Sequence, residues 1–176
     1  MRIISGELKG RNIHPPKNFN ARPTTDFAKE SLFNIILNNF DFDTLNIIDL
    51  FSGTGSISFE FASRGAVEIT AVENNFNHYS FIKKTADNLQ LAQIKVIKAN
   101  AFIFLKRCTS SFNIIFADPP YADKNTALLP DLIFENNLLK ENGWFILEHS
   151  KDFSFQNYSR FFDQRIYGSV NFSFFK

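Results

Sequence analysis

The 176-residue chain carries a single cysteine, Cys108, which excludes an intrachain disulfide framework and a cysteine metal cluster. It has no apolar run of membrane-spanning length, and its first residues, Met1 to Gly6, hold no long apolar stretch. The expected setting is therefore the cytoplasm. Histidine is scarce as well. His14, His78 and His149 are scattered without His-Glu-x-x-His spacing, so no metal site is expected. Charge of one sign is missing too, since 19 Lys plus Arg face 18 Asp plus Glu, a net of +1. Global charge therefore gives no warrant for nucleic-acid binding. Its distribution says more: within residues 1–25, Arg2, Lys9, Arg11, Lys17 and Arg22 stand against Glu7 alone. A phosphate-contacting arm and a solvated basic terminus both fit that segment.

What is present is a series of short branched-apolar runs separated by helical periodicities. Strands are expected at Leu45 to Leu50, Glu68 to Glu73, Ile94 to Ile97, Phe112 to Ala117 and Gly143 to Glu148, with helices near 27–37, 56–63, 76–88 and after Asn100. Thr25 or Asp26 can cap the first helix. This alternation predicts an α/β fold with an open, mainly parallel sheet covered on both faces, whose ligands bind beyond the carboxyl ends of the strands. Residues 161–168 and 170–175 leave no room for a crossover helix and should close the sheet as an antiparallel hairpin. Residues 1–14, around Gly6 and Gly10, have the pattern of a small hairpin. The expected organisation is a basic extension over 1–20 and one domain over 21–176.

Two turns carry the chemistry. After the first strand, Asp49 leads into Phe51-Ser52-Gly53-Thr54-Gly55, where glycines permit a tight turn and a close approach to a ligand. The turn lacks what a phosphate binder would need. Ser58 stands where a nicotinamide fingerprint has its third glycine, and no Gly-Lys-Ser or Gly-Lys-Thr follows. Glu73, eighteen residues beyond Gly55, can accept both hydroxyls of a ribose, and Asn100 can offer its amide to an adenine edge, with Phe102 or Ile103 as apolar cover. An adenosine without phosphates, carrying a sulfonium and an amino-acid tail, fits this set: S-adenosylmethionine.

The second turn is Asp118-Pro119-Pro120-Tyr121, at the end of the fourth strand. Two prolines stiffen the turn and remove backbone donors, Asp118 adds a carboxylate and Tyr121 a ring that can stack on a base. Together these residues can hold a flat base by its amino group. Cys108 lacks a placed base, Trp144 reads as core, and Arg64-Gly65 reads as a helix end. Glu148-His149 can border the substrate cleft or simply make hydrogen bonds at the sheet edge.

Over nearly its whole length the chain resembles the RsmD-like 16S rRNA guanine-N2 methyltransferases. The resemblance rests on Arg2-Ile3-Ile4-Ser5-Gly6, Leu8-Lys9-Gly10-Arg11, Arg22-Pro23-Thr24-Thr25-Asp26, Glu30 to Ile35, Asp49 to Gly55, Ser63 to Ala66, the Asp118 to Tyr121 turn, Glu148-His149 and Tyr167-Gly168. It implies a class I methyltransferase with Asp49, Ser52, Gly53, Thr54 and Gly55 on the methionine side and Glu73 at the ribose. Asn100 and Ala101 would lie at the adenine, although the family often has aspartate where this chain has Asn100. Asp118 and the Pro119 carbonyl would clamp the amino group, with Pro120 and Tyr121 against the base. Arg2, Lys9, Arg11, Arg22, Thr24 and Thr25 would face the RNA. The implied partner is 16S rRNA within a small ribosomal subunit or an assembly particle, with no membrane and no obligate protein partner. Two other readings stay open at this point: an adenine-N6 or cytosine-N4 DNA methyltransferase, and a non-catalytic RNA-binding or assembly protein.

Overall fold

Seven strands form one sheet in the order β3-β2-β1-β4-β5-β7-β6 in a computed structural model that describes residues 1–16, 19 and 25–176. The strands are β1 (Asn46–Leu50), β2 (Glu68–Glu73), β3 (Ile94–Lys98), β4 (Phe112–Ala117), β5 (Leu139–His149), β6 (Phe161–Tyr167) and β7 (Val170–Phe175). β1 to β5 run parallel, and β7 pairs antiparallel with both β5 and β6. The helices are α1 (Asp26–Leu37), α2 (Ser56–Ser63), α3 (Phe76–Asn88), α4 (Ala101–Arg107) and α5 (Leu129–Glu135). Among the described residues no helix is long and apolar enough to cross a membrane.

The period-2 geometry of the strands sorts their side chains onto two cores. Ile47, Ile69, Ala71, Ile114, Phe116 and Ile146 pack with apolar residues of α1, α2 and α3. Their neighbours Ile48, Leu50, Val72, Ile115, Ala117 and Leu147 pack with α4 and α5. Most of the 23 phenylalanines serve these cores, and Phe33, Phe59, Phe61, Phe116, Phe145, Phe172, Phe174 and Phe175 are fully buried. Each such side chain contributes roughly 1.5–3 kcal/mol of burial. Trp144 packs edge-on to Phe40 and Phe174.

Two elements depart from the sequence reading. β5 begins at Leu139, four residues before Gly143, and its pairing with β4 shifts register between Phe112 and Ile114. α5 lies in a segment without clear periodicity, and the proline in its first turn suits a helix start, where no backbone donor is needed. The N-terminal hairpin takes a minimal form: one antiparallel bridge, Arg2 to Asn12, supported by bonds from Ile3 N to Arg11 O and Gly10 N to Ile3 O.

This hairpin is docked on α2 by its backbone. The Glu60 carboxylate accepts from Ile4 N and Ser5 N, Ser63 Oγ accepts from Leu8 N, and Ser63 O accepts from Glu7 N. Lys29 of α1, buried beside Glu60 at 3.5 Å, donates to Arg2 O and to Ser56 Oγ. Burial pushes the Lys29 ammonium below its ordinary pKa, against the opposing pull of Glu60. Arg64 caps α2, bonds Glu60 and lies over the Phe33 ring.

Gly6 is indispensable to this docking. Its φ is +82°, and a Cβ there would stand 1.8 Å from Ser63 O, a backbone atom that cannot swing away. Gly6→Ala will therefore release the hairpin and destabilise the fold by roughly 1–3 kcal/mol, read as a lower urea midpoint.

Candidate active site

The chain connection reverses between β1 and β4, which lie side by side although α2, β2, α3, β3 and α4 separate them in sequence, and the crevice beyond their carboxyl ends is where such sheets bind ligands. A cleft of about 910 Å³ opens there. Of the residues singled out for the cofactor, Asp49, Ser52, Gly53, Thr54, Glu73, Asn100 and Ala101 line it; of those for the substrate, so do Thr25, Asp118, Pro119, Pro120 and Tyr121.

The glycine turn is held in an unusual conformation. Phe51, Gly53 and Gly55 have φ values of 59°, 55° and 77°. Ser52 ties the turn to both neighbouring strands, its N donating to Val72 O and its Oγ to Asp49 O. Gly55 does not line the cleft. A Cβ at that position would meet the Phe59 ring at 2.8 Å, so this glycine is required by packing under the turn. Glu73 closes the other side, accepting from Gly53 N at 2.8 Å and from Asn75 N at 2.6 Å. A carboxylate has about four acceptor positions, so these two bonds leave capacity for ligand hydroxyls.

Asp49 is buried, and its Oδ2 accepts from both Ser58 N and Ser58 Oγ. Ser58 thus supplies a hydroxyl where a nicotinamide binder would have glycine. Burial pushes the Asp49 carboxyl up to about 7, with Glu73 adding to the rise and the Ser58 bonds opposing it. Asn100 caps α4 by accepting from Ile103 N through Oδ1, so its Nδ2 is the group that can face a ligand. Phe51 and Phe102 meet edge to face at 5.7 Å beside it.

Asp118 follows the last residue of β4, and its N bonds Leu50 O at 3.4 Å. Burial, then the Glu148 and Asp49 carboxylates, hold its carboxyl well above the ordinary range. The two proline carbonyls differ. Pro120 O accepts from Asp123 N at 2.8 Å, whereas Pro119 O accepts no hydrogen bond among the described residues. The Tyr121 hydroxyl donates to Glu148 Oε1 at 3.4 Å.

Arg2, Lys9 and Arg11 are not part of the cleft wall. Arg2 pairs with Asp26 at 3.3 Å, while Lys9 and Arg11 are exposed on the docked hairpin. The hairpin does border the site: Thr54 Oγ1 lies 3.3 Å from Met1 Sδ. Thr25 caps α1 through Ala28 N. Arg22 and Thr24 lie outside the described residues.

The cleft adds residues that the sequence did not single out for the site, among them Phe51, Asn75, His78 and Val170, and of the two readings left open for Glu148 it shows the one at the cleft border. His149 points to the other side, with Nδ1 2.8 Å from Ser150 O and Nε2 2.8 Å from Ser173 Oγ, and its burial lowers its pKa. Its role is structural.

One feature of the cleft stands out electrostatically. Five carboxylates line it, from Asp49, Glu73, Asp118, Asp123 and Glu148, and no lysine or arginine does among the described residues. Such a site disfavours phosphates and welcomes a cation.

The parallel sheet, the reversal between β1 and β4 and the antiparallel β7 define a Rossmann-like class I methyltransferase fold. The chain belongs to the family described as Conserved hypothetical protein 95, whose model matches residues 1–176. It is 36% identical over 151 residues to the Ribosomal RNA small subunit methyltransferase D of Buchnera aphidicola subsp. Baizongia pistaciae, an alignment spanning 84% of this chain and 75% of the relative. The protein of the same name from Escherichia coli K12 is 33% identical over 148 residues, 82% of this chain and 69% of the relative. A solved structure of yhhF from Escherichia coli superposes with a TM-score of 0.87 at 26% identity, covering 99% of this chain and 96% of that one.

Proposed function

We propose that the protein transfers a methyl group from S-adenosylmethionine to the exocyclic N2 amine of a guanine in small-subunit (16S) ribosomal RNA. The observation that carries this reading is the single acidic cleft joining the Gly53 turn and Glu73 to the Asp118-Pro119 acceptor pair. Relatives named as small-subunit ribosomal RNA methyltransferases support the polymer.

S-adenosylmethionine, when bound, supplies an electrophilic methyl group on a positively charged sulfur. The residues present suit it. Glu73 would accept the ribose hydroxyls, Asn100 Nδ2 and Ala101 would border the adenine beside Phe102, and the Asp49 end of the cleft would receive the ammonium group of the amino-acid tail. The methyl acceptor would be oriented by Asp118 and the Pro119 carbonyl, each taking one hydrogen bond from the amino group. A guanine amino group is a weak nucleophile because its lone pair is delocalised into the ring. Fixing its direction and favouring its developing positive charge is the kind of preorganisation that lowers such a barrier without a covalent intermediate. Tyr121, 38% exposed at the mouth, would stack on the unstacked base for about 1–3 kcal/mol. Residues 1–20, through Arg2, Lys9 and Arg11, would bear on RNA phosphates, and residues 21–176 would form the methyltransferase domain, with Arg22, Thr24 and Thr25 on its substrate side.

Asp49 gives this reading a pH signature. A cationic ligand favours the ionised carboxylate, so binding below pH 7 must release a proton. S-adenosylmethionine affinity will rise up to about tenfold per pH unit between pH 5.5 and 7, as followed by calorimetry, and Asp49→Asn will flatten the slope and weaken binding. Stability of the ligand-free protein runs the other way. A folded-state pKa raised above the ordinary value near 4 favours the protonated fold, so the Asp49 contribution falls as pH rises from about 4 to 7.

The function is tested by offering labelled S-adenosylmethionine with unmodified small-subunit particles, naked 16S rRNA and duplex DNA. Label in the rRNA of either of the first two substrates is expected. Label in DNA alone would favour an adenine-N6 or cytosine-N4 DNA methyltransferase, and cofactor-independent particle binding with no transfer would favour an assembly protein.

A further inference from the structure

Asp118 and Glu148 are adjacent carboxylates on one face of the sheet. β4 and β5 are in register at Ala117 and Leu147, so the residues that follow, Asp118 just past the end of β4 and Glu148 within β5, lie side by side. Alternation along each strand puts Asp118 on the side of Ile114 and Phe116, and Glu148 on the side of Ile146, all three of which belong to one core. Both carboxylates line the cleft, and Glu148 is only 3% exposed. It is also held, by the Tyr121 hydroxyl at Oε1 and by strand pairing opposite Phe172. A carboxylate has about four acceptor positions, so the Tyr121 bond does not prevent Glu148 from also accepting a donor presented in the cleft.

A guanine presented by its N2 amine offers such a donor. Its Watson–Crick edge carries the amino protons and, one atom further along the ring, N1–H. Adenine and cytosine present a ring nitrogen lone pair at the place next to their amino group. Facing a carboxylate, that lone pair forms no hydrogen bond and is repelled.

Granting the guanine-N2 reading, we propose that Glu148 is the specificity-determining residue: its carboxylate accepts N1–H of the target guanine beside the amino group held by Asp118 and Pro119. Tyr121 then has two tasks, offering its ring to the base and fixing Glu148 through its hydroxyl. The same Asp-Pro-Pro-Tyr turn becomes selective through a residue of the adjacent strand.

The test replaces the target guanine with 2-aminopurine, which keeps the 2-amino group but has a lone pair at N1. The methylated nucleotide is first mapped with the wild-type protein, and small-subunit particles are then assembled with guanine or 2-aminopurine at that position. Single-turnover methyl transfer is measured for the wild type and for Glu148→Gln, whose amide can donate to the 2-aminopurine N1. The wild type will prefer guanine by roughly a hundredfold or more, and Glu148→Gln will react more slowly with guanine and narrow the preference to within about tenfold. An equal loss on both substrates, with the preference intact, would assign Glu148 a merely structural role and overturn the proposal. Comparable wild-type rates on guanine and 2-aminopurine would overturn it without any variant, so the test survives even a Glu148→Gln protein that fails to fold. If the mapped product is not N2-methylguanosine, the underlying reading fails at the mapping step, before Glu148 is tested.

Discussion

Asp118→Ala will lower single-turnover methyl transfer by roughly 10²–10³-fold while leaving S-adenosylmethionine affinity within about threefold. The separation follows from position. Asp118 stands beyond β4, beside Glu148 and Pro119, whereas the residues fitted to the nucleoside lie around the β1 turn and the end of β2. Removing the carboxylate takes away one of the two acceptors that would orient the amino group, and leaves the Pro119 carbonyl alone. Asp118→Asn will retain part of the activity, because its amide oxygen can still accept. The acceptor form is the carboxylate, which its surroundings hold well above the ordinary pKa, so wild-type transfer will climb as pH rises through that raised value. Rapid-quench measurement at saturating cofactor checks the rate, and calorimetry checks the affinity.

Glu73→Ala will do the reverse, weakening S-adenosylmethionine by about a hundredfold with little change in the rate at saturation. Two effects combine. The variant loses charge-assisted bonds to the ribose hydroxyls, and it releases Gly53 N and Asn75 N, which the carboxylate now holds at 2.8 and 2.6 Å. The Gly53 turn carries strain at Phe51, a non-glycine residue with φ of 59°, and the Glu73 bond to Gly53 N helps keep it in place. Glu73→Gln will recover part of the affinity, since its carbonyl can accept from one of the two amides. Equilibrium binding and saturation kinetics, measured on the same preparations, separate the two consequences.

The sheet was legible because its strands are short branched-apolar runs punctuated by glycine, proline and asparagine, and because helical periodicity fills the gaps. Segment 129–142 was not, since α5 and the start of β5 depend on packing against β4 more than on their own pattern. Within the site, the legible residues were those whose chemistry announces a task at a strand end: Asp49, Glu73, Asp118. The positive φ of Phe51 and the capture of Pro120 O by Asp123 are products of the folded backbone and leave no mark in the sequence. Gly55 was read as part of the methionine-side turn; the fold adds a packing reason for glycine there, since a Cβ would meet the Phe59 ring. The basic hairpin was visible as charge; its docking through Glu60, Ser63 and buried Lys29 required the fold. That docking brings exposed Lys9 and Arg11 onto the same body as the cleft without making them part of it.

Nucleoside mass spectrometry of small-subunit rRNA after incubation with the protein and S-adenosylmethionine tests the central claim most directly. The wild type is predicted to yield N2-methylguanosine at one position, and Asp118→Ala to yield almost none in the same time. Methyl groups on adenine N6 or cytosine N4, or an undiminished N2-methylguanosine yield from Asp118→Ala, would contradict it.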